Sequence, residues 1–252
     1  MTLNRSSFVV RLCAALILLT SALVPTFTRA ANIVWGSPQQ ITGDTDVSTQ
    51  GTLIGAFNVG DTGVPSTTVN GVTFQSFAAP GGNGSSGNFT MTAGGGGVFN
   101  SNTDGGSTMP PFSNLSAGYQ TLLSSYVTPL FSPVSLTISG LVVGKLYEFQ
   151  FWSNLSSQMF GYQITATGGN SSVTLSSNTG GAEGGLGQFV KGTFTADATT
   201  QVISFLGDGD GGFLNGFALR QIPEPNTTAL LIVGLVGAGL FHLRRRVKAA
   251  TR

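Results

Sequence analysis

Along most of the chain, apolar and polar residues alternate in short runs. The clearest case is KLYEFQFWS, residues 145–153. Tyr147, Phe149 and Phe151 fall on one face of an extended chain, and Glu148 and Gln150 on the other. A period of two predicts a half-buried strand. TTVNGVTF (67–74) reads as two short strands around Asn70-Gly71, the residue pair favoured in a type I′ hairpin turn. Similar β-forming stretches occupy 52–58, 88–93, 134–140, 161–167, 172–177, 188–196, 201–206 and 213–220, bounded by Gly, Asn, Asp or Pro. Ten such stretches at short spacing predict an all-β fold, an antiparallel β-sandwich resembling a jelly roll.

One stretch has a different period. In 115–127, Leu115, Tyr119, Leu122 and Leu123 follow the i, i+4, i+7, i+8 spacing of one helix face. A single short helix is expected there, with Ser113 or Asn114 as N-cap. Pro129 and Pro133 stop it. The Gly/Ser/Asn-rich segment 81–106 reads as long surface loops.

Two apolar runs break the alternation altogether. Near the start, a basic segment precedes the apolar run Leu12 to Val24, and small residues follow it. That order predicts a secretory signal peptide over residues 1–30, cleaved after Ala30. Near the end, Thr228 to Leu243 is apolar and is followed by Arg244, Arg245 and Arg246. The run is at the lower limit for a single transmembrane helix, and the arginines hold its far end in the cytoplasm. The domain expected between these ends spans 31–221, and 222–252 forms the tail.

Composition narrows the function. Charged residues make up 8% of the chain, against roughly 25% in ordinary soluble proteins. Residues 31–222 hold nine acidic side chains and three basic ones. A nucleic-acid binder gathers its bases on the folded domain; here the bases gather at the ends, so no nucleic-acid partner is expected. Cys13 and His242, the only cysteine and histidine, both lie in the apolar runs. The domain therefore has no disulfide, no thiol or Ser-His nucleophile system and no His or Cys metal ligand.

Two groups of residues remain as candidate chemistry. Asp44 and Asp46, and Asp208 and Asp210, each place carboxylates at i and i+2 in Gly-containing loops. If the two loops meet, four carboxylates can serve one structural Ca²⁺, which takes six to eight oxygens. Aromatic rings can cover the C–H face of a sugar. Trp35, Trp152, Tyr119 and Tyr162 are the candidates, with Trp35 and Trp152 foremost.

The tail carries a resemblance. Pro223, Glu224 and Pro225, then the apolar run, then Arg244 to Arg246, resemble the PEP-CTERM sorting signal of bacterial envelope proteins. The two prolines fix φ and lack an N–H, which keeps this stretch extended ahead of the helix. The resemblance implies exosortase as a partner, cutting near the triplet after a transient stay in the inner membrane. It implies a final place at the cell surface or in the extracellular matrix. The domain itself resembles, in pattern, the lectin-type or galactose-binding-type ectodomains of other PEP-CTERM proteins. Three roles follow, in this order. The first is a structural or interaction protein of the envelope, without enzymatic activity. The second is a carbohydrate-binding module for exopolysaccharide or another glycan. The third, remote, is a carboxylate-dependent glycoside hydrolase.

Overall fold

The computed structural model describes residues 30–95 and 97–223. In chain order its strands are β1 (Val34–Trp35), β2 (Gln39–Gln40), β3 (Thr52–Gly60), β4 (Thr67–Val69), β5 (Val72–Ala78), β6 (Gly84–Ser86), β7 (Phe89–Ala93) and β8 (Val98–Ser101). Then come β9 (Tyr126–Pro129), β10 (Val134–Ser139), β11 (Leu146–Ser153), β12 (Gln163–Gly168), β13 (Ser171–Ser176), β14 (Gln188–Thr195), β15 (Thr200–Gly207) and β16 (Gly216–Ile222). One α-helix, α1 (Ala117–Ser124), lies between β8 and β9.

The strands form two packed sheets. The larger runs β1-β14-β11-β16-β3-β5-β4, with β2 also on β14; the smaller runs β13-β12-β15-β10-β7-β6. β8 and β9 form a separate ribbon. Pairing is antiparallel with one exception: β3 and β5 run parallel, Phe57 opposite Gln75. The β4–β5 hairpin swings β5 back alongside β3 in β3's own direction. That hairpin turns at Asn70 (φ 49°) and Gly71 (φ 73°), the left-handed pair the sequence predicts.

Between the sheets, Phe57, Phe149, Phe151, Phe205 and Phe217 are buried in one core with Met91, Leu136, Ile138 and Ile203. Phe149 and Phe217 stack with ring centroids 6.0 Å apart, and Phe151 meets Phe205 edge-on at 5.3 Å. Full burial of a large apolar side chain contributes roughly 1.5–3 kcal/mol.

A second core lies on the outer face of the larger sheet. Phe74, Trp152, Ala56 and Ala218 meet Tyr119, Leu122 and Leu123 of α1. This corrects the expectation for β11. Its outward face is not solvated: Gln150 is 1% exposed and Trp152 is 0% exposed. Alternation reports that two faces differ. It does not report that α1, over Trp152, and the loop between β2 and β3, over Gln150, cover the more polar one.

Three smaller expectations are also revised. The N-cap of α1 is Ser116, whose Oγ accepts from Tyr119 N at 3.2 Å. Ser113 and Asn114 instead belong to a 3-10 turn, Phe112–Asn114. The segment 81–106 carries strands β6 and β8 besides β7. Residues 213–215 precede β16 instead of joining it, and Leu214 only bridges to Val127.

Both flanks of the domain emerge at one end. Ile222 pairs with Leu146, Gln221 with Thr52, and Ile33 N bonds to Gly168 O at 3.3 Å. At the opposite end, β11 leads into the loop 154–162 and β15 into the loop 208–215. Among the described residues no helix is long and apolar enough to cross a membrane. Residues 1–29 of the expected signal peptide 1–30, Glu224, Pro225, the run 228–243 and Arg244 to Arg246 lie outside the described residues.

Candidate functional site

The first aspartate pair is structural. Asp46 accepts from Thr42 N at 2.7 Å, Gly43 N at 3.0 Å, Thr42 Oγ1 at 2.7 Å and Tyr119 Oη at 3.1 Å. Its carboxylate is occupied by four donors. Asp44 accepts from Ser116 Oγ at 2.6 Å, which ties the same loop to the start of α1. Asp208 sits elsewhere, accepting from Gln163 N at 3.1 Å at the start of β12. Among the described residues no group of three or more His, Cys, Asp or Glu side chains gathers to hold a metal. The four aspartates therefore form two separate places instead of one shared calcium site.

The tryptophans are placed just as firmly. Trp152 is fully buried, with its indole N–H donating to Tyr119 Oη at 2.8 Å and its ring edge-on to Phe74 at 5.4 Å. It offers no surface to a sugar, nor does Tyr119, which is 0% exposed. Trp35 is half-buried, edge-on to Phe149 and Phe151, and donates to Ser171 O at 3.3 Å. It closes the edge of the main core.

The remaining candidate, Tyr162, does stand in a site. Two adjoining hollows, of about 530 Å³ and about 420 Å³, share Tyr162 and Asp210. Phe160, Gly161 and Asp208 line the first; Asp104, Tyr126, Ser157, Gln158 and Phe213 are among those lining the second. The aromatic rings form a chain: Phe160 to Tyr162 at 6.5 Å, Tyr162 to Phe213 at 5.7 Å, Phe213 to Tyr126 at 4.7 Å. Phe160 is 61% exposed at its open end. Burial, and then the Asp104 carboxylate, raise the pKa of Tyr126 above the usual tyrosine value.

Close backbone approaches shape these loops. Asp208 N bonds to Gly211 O at 2.9 Å, and a Cβ on Gly212 would fall 2.6 Å from Gly207 Cα. Asn215, fully buried, holds the base of the loop. Its Nδ2 reaches Leu123 O, Ser125 O and Asn154 O at 2.9, 2.8 and 3.1 Å, and its Oδ1 accepts from Asn154 N at 2.6 Å. One residue thus joins both loops of the hollow to the end of α1. Sequence reasoning found Tyr162, Asp208 and Asp210. It missed Asp104, Tyr126, Phe160 and Phe213, which come from three separate loops and the start of β9 and have no shared spacing.

The tail is decided by comparison with known families. Residues 221–246 match the PEP-CTERM protein-sorting motif. This chain carries a PEP-CTERM tail. The tail implies an exported protein, processed by exosortase and held by a C-terminal membrane anchor beforehand. No curated protein matches the sequence. Among solved structures, β-glucuronidase 2 of Bacteroides uniformis is similar at 16% identity and a TM-score of 0.45, over 67% of this chain and 18% of that one. A calcium-binding mutant of the same enzyme gives 16% identity and 0.44, over 72% and 19%. An exo-β-1,3-galactanase of Phanerochaete chrysosporium, with galactose, gives 14% and 0.30, over 54% and 30%. The chain thus corresponds to less than a fifth of the glucuronidase.

Proposed function

We propose that this chain is a surface or matrix protein whose β-sandwich holds a glycan in the hollow around Tyr162. One observation carries this reading. Aromatic rings and carboxylates converge there, at the end of the domain away from both flanks. A flat ring packs on the C–H face of a sugar. A carboxylate accepts bonds from sugar hydroxyls, and charge makes such bonds stronger than neutral ones. Asp104, Asp208 and Asp210 supply three carboxylates, and among the described residues no basic side chain lines either hollow. Uronic acids would meet like charge in this setting. Neutral or amino sugars fit it.

We read the hollow as a binding site without turnover. Residues 31–222 contain neither His nor Cys, and the carboxylates lie in Asp-Gly loops. Tyr162→Ala, Asp210→Asn and the native chain, screened on an array of neutral, amino and acidic glycans, test the proposal. Native binding to a neutral or amino glycan, lost in both variants, supports it. Binding confined to acidic glycans, or binding that both variants retain, overturns it. No binding at all leaves the structural role as the better reading. Release of reducing ends, lost in Asp210→Asn, moves the assignment to a hydrolase.

A further inference from the structure

We propose that the end of the sandwich bearing both flanks sits on the lipid bilayer, with Val142 and Val143 inserted into the lipid interface. The inference rests on the membrane-anchor reading of the tail, and it concerns residues far from the sorting motif in sequence.

Val142 and Val143 lie in the turn between β10 and β11 and are 55% and 56% exposed. The turn directly precedes Leu146, which pairs with Ile222. At the same end, Leu53 and Ile54 at the start of β3 are 39% and 40% exposed. Exposed apolar side chains at the end of the domain that carries the membrane tail offer a surface to a partner there.

The valines are presented by a fixed turn. Lys145 N bonds to Val142 O at 3.1 Å, and Gly144 takes φ 84°, the left-handed conformation a type II turn needs at that position. Gly144 N bonds to Ala196 O at 2.8 Å, Leu141 N to Thr199 O at 3.0 Å, and Val142 N to Tyr147 Oη at 2.9 Å. Each backbone partner holds the turn in place, and none covers the valine side chains. Pro is the residue favoured at the first central position of a type II turn. Here that position holds Val143.

The position of the tail names the occupant. The described chain ends at Pro223, and the apolar run begins at Thr228. Five residues, fully extended, reach no more than about 18 Å. While the tail is in the membrane, this end of the domain is held at the bilayer surface. Residue 30 also lies there, since the next residue, Ala31, receives Gln201 Nε2 at 3.0 Å and Gln201 is in β15. Apolar side chains presented at that height meet the boundary between headgroups and acyl chains.

Site-directed spin labels test the placement. The full chain, with Cys13→Ser, is reconstituted into phosphatidylethanolamine–phosphatidylglycerol vesicles with a label at one of three positions. Val143→Cys reports the turn, Met159→Cys the opposite end, and Leu235→Cys the apolar run. Dissolved oxygen reports lipid exposure, and a nickel chelate reports water exposure. We expect Leu235 and Val143 both to be shielded from nickel and open to oxygen, and Met159 to be the reverse. A shielded Leu235 with Val143 as wet as Met159 overturns the proposal and leaves the anchor standing. A wet Leu235 removes the anchor, and the proposal falls with it. As a second measurement, Val142→Ser with Val143→Ser should leave the melting temperature unchanged and raise the nickel accessibility of a label at Leu53→Cys several-fold. No rise there also counts against the proposal.

Discussion

The indole N–H of Trp152 donates to Tyr119 Oη at 2.8 Å, and that hydroxyl in turn donates to Asp46 Oδ2 at 3.1 Å. Strand, helix and N-terminal loop thus meet in one buried chain of hydrogen bonds. Tyr119→Phe removes the central member with almost no change in volume. Asp46 keeps three donors, but the Trp152 N–H is left without an acceptor. Leaving a buried donor unsatisfied costs about 1–3 kcal/mol. Urea unfolding should show a loss of that size with an unchanged m-value.

The same hydroxyl makes stability sensitive to alkali. Burial first, and the Asp46 carboxylate second, raise the pKa of Tyr119 well above its ordinary 10.0. The unfolded chain therefore loses this proton near pH 10, while the folded chain retains it. Unfolding releases a proton in that window, so the stabilisation is complete below pH 10 and declines as pH rises toward the folded value. Tyr126 contributes in the same direction. Melting temperatures between pH 8 and pH 11 should fall less steeply in Tyr119→Phe than in the native protein.

Asn215 offers a sharper test of how the hollow is held. Asn215→Ala strands the Asn154 N–H and withdraws a donor group shared by three carbonyls. The expected loss is about 3 kcal/mol or more, near the upper end for a single substitution. Hydrogen exchange should rise first in the loops 154–162 and 208–215, ahead of the paired strands.

Tyr162→Ala should separate binding from folding. Tyr162 is half-buried at the rim of the hollow, and its ring meets Phe160 and Phe213. Truncation should cost about 1–2 kcal/mol of stability or less, because the site opens to solvent. On the proposed reading, affinity for a neutral or amino glycan should fall at least tenfold, about 1.4 kcal/mol or more, enough to lose the signal on an array. Calorimetric titration beside a thermal melt measures both.

The strands were largely legible in the sequence, because their inward faces are strongly apolar. β11 shows where that legibility stops. Tyr147, Phe149 and Phe151 marked the core face correctly, but nothing local showed that Trp152 lies beneath α1. Trp152 was therefore read as a candidate platform for a sugar. The aspartates failed in a similar way. Asp44-Thr45-Asp46 and Asp208-Gly209-Asp210 have the same spacing. One pair is consumed by Thr42, Gly43, Ser116 and Tyr119, and the other faces a hollow. Spacing within a loop cannot report which partners arrive from elsewhere in the chain. The hollow shows this most clearly, since its lining comes from residues as far apart in sequence as Asp104 and Phe213.

The order of strands has a consequence for how such a domain is made. β16, the last strand among the described residues, is not at an edge. It lies between β11 and β3, pairing with both. A chain that crosses a membrane from its N-terminus delivers this strand after all the others. Until then the larger sheet is split, with Phe217 and Leu219 missing from its core. The larger sheet can close only once residue 222 has crossed. Such a strand order ties closure of the larger sheet to the arrival of β16, and it keeps the preceding chain threadable until then.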